Sequence, residues 1–169
     1  MKKLTLVAAL LLVLVACKNQ NHSHESEHKE EHHKNYDDVK KSAALLKKEL
    51  TEKGFKVFDY VDEKTQDTIL MQQYYIAFLK RGENRSQNEE ETKALQKAHL
   101  THLGKMYELG YADISGPFGD DGDIRGITIY NTPTQQMADS LANADPMVKA
   151  GRLQIEIHPW WAAKGFHLR

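Results

Sequence analysis

The sequence predicts an α+β fold, with helices laid on one face of a sheet. Three observations carry this. From Leu70 onward, segments with strand and helix periodicity follow one another as strand, helix, strand, strand, helix, strand. The first of these strands is apolar on both sides, as a strand in the middle of a sheet must be. The helical segments end in recognisable caps and stops. The chain has 169 residues, 40% of them hydrophobic and 28% charged, which suits one globular domain with appendages.

The first appendage reads as an address. Met1-Lys2-Lys3 is a short positive start, and Leu4 to Val15 is apolar apart from Thr5. That run is too short for a membrane-spanning helix, which needs about 20 residues, so it reads as a signal peptide. The stretch Leu14-Val15-Ala16-Cys17 resembles the bacterial lipoprotein signature, and it holds the chain's one cysteine. Cys17 is therefore expected to be lipidated. The mature protein would then be anchored to a membrane of the bacterial cell envelope, facing the periplasm. A lone cysteine excludes an internal disulfide framework and a Cys-based zinc site.

Residues 18–35, KNQNHSHESEHKEEHHKN, contain nothing apolar and read as a solvated tether. His22, His24, His28, His32 and His33 make it a candidate for weak zinc, copper or nickel binding, against the alternative of a hydrophilic spacer. No motif calls for a dedicated cofactor.

The folded part begins with a helix, Asp37 or Asp38 as its cap and Gly54 as its stop, with Val39, Ala43, Leu46 and Leu50 on one face. A strand over Phe55 to Val61 follows, then the turn Asp62-Glu63-Lys64-Thr65. The strand from Leu70 to Leu79 sets Tyr74, Ile76 and Phe78 on one side and Tyr75, Ala77 and Leu79 on the other. Ser86 and Glu89 have capping-box spacing for a long helix ending at Gly110. Its apolar stripe is Leu95, His99, His102 and Met106, so two histidines stand where leucines are expected.

Strands over Tyr111 to Ser115 and Gly126 to Tyr130 come next, around a turn at Gly119 to Gly122. Thr132-Pro133 reads as the cap and first residue of a helix carrying Met137 and Leu141, broken near Pro146. The last strand, Leu153 to His158, points Leu153, Ile155 and Ile157 one way and Gln154, Glu156 and His158 the other. This element order is ferredoxin-like, βαββαβ, preceded by a helix-strand extension. Both helices cover one face. The other carries Tyr111, Asp113, Ser115, Gln154, Glu156 and His158 by alternation, and a second subunit is its natural cover. The predicted organisation is a signal peptide at 1–16, a lipidated tether at 17–35, an extension at 36–69, the main domain at 70–161 and a tail at 162–169.

An ordered set of pieces between residues 71 and 160 resembles the YCII-related family. They are Ala98-His99-Leu100-Thr101-His102-Leu103, Gly110, Gly116-Pro117-Phe118, Arg125-Gly126, Asp145-Pro146, Ala150-Gly151 and Pro159-Trp160. Where members often carry Arg-Pro before the Ala-His pair, this chain has Gln96-Lys97. The resemblance implies a homodimeric α+β barrel with two sheets facing each other. It also implies a site built on His99 and Asp145, and small-molecule chemistry such as dehalogenation of an aromatic ring.

The residues themselves give reasons to look at that site. A buried imidazole without a partner costs about 1–3 kcal/mol, so two on one apolar stripe require partners. Asp145, placed by spacing near a helix C-terminus, is disfavoured there unless something protic or positive faces it. A His–Asp pair is the minimal apparatus for general acid/base work. His99 and Asp145 are thus the expected catalytic pair, with His102, Asp113, Glu156 and His158 as expected substrate contacts. The formal charge of −1, from 23 Lys and Arg against 24 Asp and Glu, argues against a nucleic-acid partner. Two classes stay open: an enzyme acting on a small molecule through His99, and a non-catalytic periplasmic binding or interaction module on the same fold.

Overall fold

The computed structural model describes residues 42–166 and 168. Cys17 and the five tether histidines lie outside them, as do Asp37 and Asp38. The elements are α1 (Ala43–Glu52), β1 (Val57–Val61), β2 (Thr68–Arg81), α2 (Glu89–Glu108), β3 (Ala112–Pro117), β4 (Ile124–Tyr130), α3 (Gln135–Asn143), α4 (Pro146–Lys149) and β5 (Leu153–Ala163). From β2 onward this is the ferredoxin-like order of an α+β fold, with one extra short helix. All strand pairings are antiparallel.

Strand β2 is the spine of the sheet. It pairs with β5 along one side, from Met71↔Ala163 to Arg81↔Leu153. Its other side is shared end to end by β1, at Val57↔Gln72, and β4, at Tyr75↔Tyr130. β3 closes that edge by pairing with β4. Tyr75, Ala77 and Leu79 face the helices and are buried, Ala77 completely. They pack with Met106 of α2, Ala138 and Ala142 of α3, and Met147 and Leu153. Burying each large apolar side chain contributes about 1.5–3 kcal/mol.

Three caps differ from expectation. The α1 cap is Ser42, whose hydroxyl accepts from the Leu45 amide. The α2 capping box is Asn88 with Glu91, two residues beyond Ser86 and Glu89. The α3 cap is Thr134, and Pro133 precedes it in the loop. The Thr132 hydroxyl donates to the Thr134 carbonyl instead. Each displaced signal lies in a run with several capping residues, where spacing alone does not choose among them.

Alternation also fails on one strand. The register of β3 with β4 shifts between Ala112 and Ile114, leaving Asp113 as an extra residue. A bulge reverses the faces of what lies beyond it. Ser115 therefore turns to the helix-covered side and hydrogen-bonds the buried Thr128 at 3.0 Å. Tyr111 packs against the core and is not on the open face.

Candidate active site

His99 sits mid-way along α2, on the stripe that meets the sheet, and is 8% exposed. Its Nδ1 lies 2.6 Å from Oδ2 of Asp145, which is 3% exposed. The chain reaches this geometry through a break between two helices. α3 ends at Asn143, and Asp145 then starts α4, with Pro146 at the first helical position, where its fixed φ and missing N–H cost nothing.

This reverses the electrostatic reading from spacing alone. Asp145 does not sit unsupported at the C-terminus of α3. It is the N-cap of α4, and its Oδ1 accepts from the Met147 amide at 2.8 Å. One carboxylate oxygen thus serves the backbone and the other the imidazole. A carboxylate oxygen accepts, so the pair is satisfied when Nδ1 carries the proton, leaving the Nε2 lone pair free in the neutral ring. Among the described residues Nε2 has no hydrogen-bond partner.

Tyr130 stands behind the pair, 2% exposed. Burial, and then the negative charge of Asp145, hold its phenol above the usual range, so it stays a neutral hydroxyl.

His99 lines a cleft of about 500 Å³. Leu100 and Leu103 of α2, Met147 of α4 and Leu153 of β5 form apolar walls, with Ser115 and Pro117 opposite. Arg81, Arg85, Arg125 and Arg152 line it as well. The arginines come from four separate places in the chain. Two close backbone approaches bring them together. A Cβ on Gly82 would stand 2.2 Å from the Gly151 carbonyl oxygen, so only glycine lets the end of β2 lie against the start of β5. A Cβ on Gly126 would stand 2.6 Å from the Gly116 carbonyl oxygen, beside Arg125.

The six expected site residues do not form one site. His99 and Asp145 meet. His102 does not reach the cleft: its Nε2 donates to the Leu141 carbonyl at 3.1 Å and ties α2 to α3. Glu156 and His158 lie on the open sheet face, where Glu156 bonds Lys80 at 3.1 Å and His158 at 2.8 Å. Asp113, the bulge residue, accepts from Asn131 Nδ2 at 3.2 Å. The physical reason is the sheet itself, which separates these three from the helix-covered side. Of the arginines only Arg125 stands among the sequence pieces singled out above, and not as a site residue. The signal available was their scarcity, five against eighteen lysines, with Arg81, Arg85, Arg125 and Arg152 all inside the domain.

Among the described residues, no three His, Cys, Asp or Glu side chains group as metal ligands. No described helix is long and apolar enough to cross a membrane.

A model of the YCII-related domain matches residues 74–161, just over half of the chain, with the helix histidine and the Asp-Pro pair inside the match. The chain belongs to the YCII-related family. Among solved structures, a similar chain is the 5-chloro-2-hydroxyhydroquinone dehydrochlorinase TftG of Burkholderia phenoliruptrix AC1100, in complex with 2,5-dihydroxybenzoquinone. The two are 20% identical, and the match covers 51% of this chain and 92% of that one with a TM-score of 0.39. No curated protein matches the chain.

Proposed function

We propose that this protein is a small-molecule enzyme in which His99 is the acid/base group and Asp145 its orienting partner. The observation that carries this reading is the buried 2.6 Å contact at the wall of an open cleft. Asp145 holds the proton on Nδ1 and directs the Nε2 lone pair outward. It also stabilises the imidazolium that forms when Nε2 takes a proton from a bound molecule. A non-catalytic module would have no need to keep a satisfied His–Asp pair beside an accessible cleft. A filled, dry space around His99 would have favoured that alternative.

The test is acylation of His99 by diethyl pyrocarbonate, read by mass spectrometry on the full-length protein. Its Nε2 should be acylated in the wild type and more slowly in Asp145→Asn, where the ring loses its orienting charge. An unreactive His99 in the wild type would count against an accessible base.

In the same reading the protein is lipidated at Cys17, held at the bacterial cell envelope, and pairs as a homodimer through the open sheet face. Support for the anchor is the Leu14-Val15-Ala16-Cys17 sequence. Cys17→Ser should abolish incorporation of a fatty-acid analogue, and equal labelling of both forms would refute the anchor. Support for the dimer is the set of apolar side chains on this half-polar face, where Ile114 and Trp160 remain exposed at 37% and 41%. Weak binding of zinc, copper or nickel by His22, His24, His28, His32 and His33 is part of the same proposal. Calorimetry with and without residues 18–35 tests it.

A further inference from the structure

Four of the chain's five arginines, Arg81, Arg85, Arg125 and Arg152, line the cleft that holds His99, while none of the described lysines does. Arginine is the residue whose planar fork matches a carboxylate or phosphate with two parallel hydrogen bonds, whereas a lysine offers a compact point charge. Concentrating one cation type in one place, in a chain that otherwise prefers the other, calls for a binding explanation.

The internal partners of these guanidiniums do not use up their charge. Arg125 meets the carboxylate of Asp121 at 3.1 Å, but that side chain is 97% exposed and its charge is largely screened. Arg81 donates to the Asp121 carbonyl at 3.3 Å and Arg152 to the Gln87 amide oxygen at 3.2 Å, both neutral acceptors. Arg85 has no hydrogen bond or ion pair among the described residues. Loss of hydration, followed by the like charges of Arg152, Arg81 and Arg125, pulls its guanidinium below the ordinary arginine range. Among the described residues Asp121 is the one carboxylate in the lining. Four positive charges thus face a cleft with one solvent-screened negative charge, and an anion relieves their mutual repulsion.

We propose that the cleft takes a small organic oxyanion, its charged group gripped by Arg81, Arg85, Arg125 and Arg152 and its apolar body against Leu100, Leu103 and Met147. This rests on the reading of His99 as the acid/base group, because the body then lies where Nε2 can reach it. The shared chemistry is that of a carboxylate or phosphate on an apolar skeleton. The arginines also suit the reaction: a proton removed by His99 leaves negative charge on the substrate, which the same guanidiniums stabilise.

Benzoate, benzamide and inorganic phosphate, titrated into the full-length protein and followed by methyl NMR of Leu100, Leu103 and Met147, test the assignment. Benzoate should saturate and should weaken as salt rises. Benzamide, equal in shape but neutral, should bind at least about tenfold more weakly, the worth of a charge-assisted hydrogen bond. Arg85→Gln and Arg152→Gln should each weaken benzoate by about tenfold or more. Arg85→Gln breaks no hydrogen bond or ion pair among the described residues, and an unchanged urea midpoint separates lost binding from lost folding. Phosphate should displace benzoate only at much higher concentration, since it lacks the apolar body. Equal binding of benzoate and benzamide, or unchanged benzoate affinity in Arg85→Gln, overturns the assignment. Phosphate competing as well as benzoate overturns its apolar half. If benzoate fails while His99 is acylated as expected, the oxyanion assignment falls alone; the reverse pattern leaves it standing and removes the acid/base reading.

Discussion

Two histidine–carboxylate pairs of nearly equal length lie on opposite faces of the sheet. His99 and Asp145 are 2.6 Å apart with side chains 11% and 4% exposed; His158 and Glu156 are 2.8 Å apart with side chains 56% and 50% exposed. The difference is what surrounds them. On the helix-covered face both side chains are buried, the carboxylate is shared with a backbone amide, and an open cleft reaches the imidazole. On the other face, in the single chain, both groups are exposed, Glu156 divides itself between His158 and Lys80, and the attraction is screened. A short contact alone does not mark a site; a short contact that is buried and adjoins a space does.

The largest effect that sharpens this comparison is on stability. Asp145→Ala removes the α4 cap and strands His99 without its partner, and should cost about 2–5 kcal/mol in urea unfolding. Glu156→Ala should move the urea midpoint only slightly. Equal losses at the two positions would break the distinction between the faces. Gly82→Ala should come next, at about 1–3 kcal/mol, because its methyl group collides with the Gly151 carbonyl and pushes apart the strand ends that carry Arg81 and Arg152. It should also weaken benzoate binding without touching acylation of His99.

Smaller still is the effect expected at the open face if a second subunit covers it. Phe78→Asp sets a charge beside Ile127 and His158 and should shift the sedimentation of the full-length protein from dimer toward monomer. An unchanged sedimentation profile in both forms, monomeric throughout, would remove the barrel pairing. The smallest effect is electrostatic. Hydrogen bonds from His158 and then Lys80 hold the Glu156 carboxyl below its ordinary range. A group depressed by folding stabilises the native state above its unfolded pKa, and that contribution is lost as pH falls through the folded one. Glu156→Gln, which lacks this contribution, should therefore be slightly less stable than wild type at neutral pH and should converge on the wild-type curve in the acidic limb. For an exposed group the difference is slight.

Part of this is legible in the sequence. His99 follows from a helical stripe with the wrong residue in it; Asp145 follows from the family resemblance and from a helix-end argument that its role as the α4 cap reverses. The apolar β2 declared itself central, which it is, with β5 on one side and β1 and β4 on the other. What failed did so for local or long-range reasons. The bulge at Asp113 adds one residue to one strand, and nothing in the alternation of Tyr111, Asp113 and Ser115 announces it. His102 looked like His99's equal because spacing reports a face and not a partner, and its partner is a carbonyl on another helix. The four arginines could not be joined by any periodicity, because tight glycine contacts far apart in the chain bring them together.

The central claim is that Asp145 sets the state of the His99 ring. Nitrogen-15 spectra of ring-labelled protein, correlating each imidazole nitrogen with its carbon-bound protons, measure that state directly at a pH where the ring is neutral. The account predicts that wild-type His99 carries its proton on Nδ1, with a slowly exchanging, strongly downfield Nδ1–H signal that disappears in Asp145→Asn. A wild-type ring protonated on Nε2, or an Nδ1–H signal identical in Asp145→Asn, would contradict it.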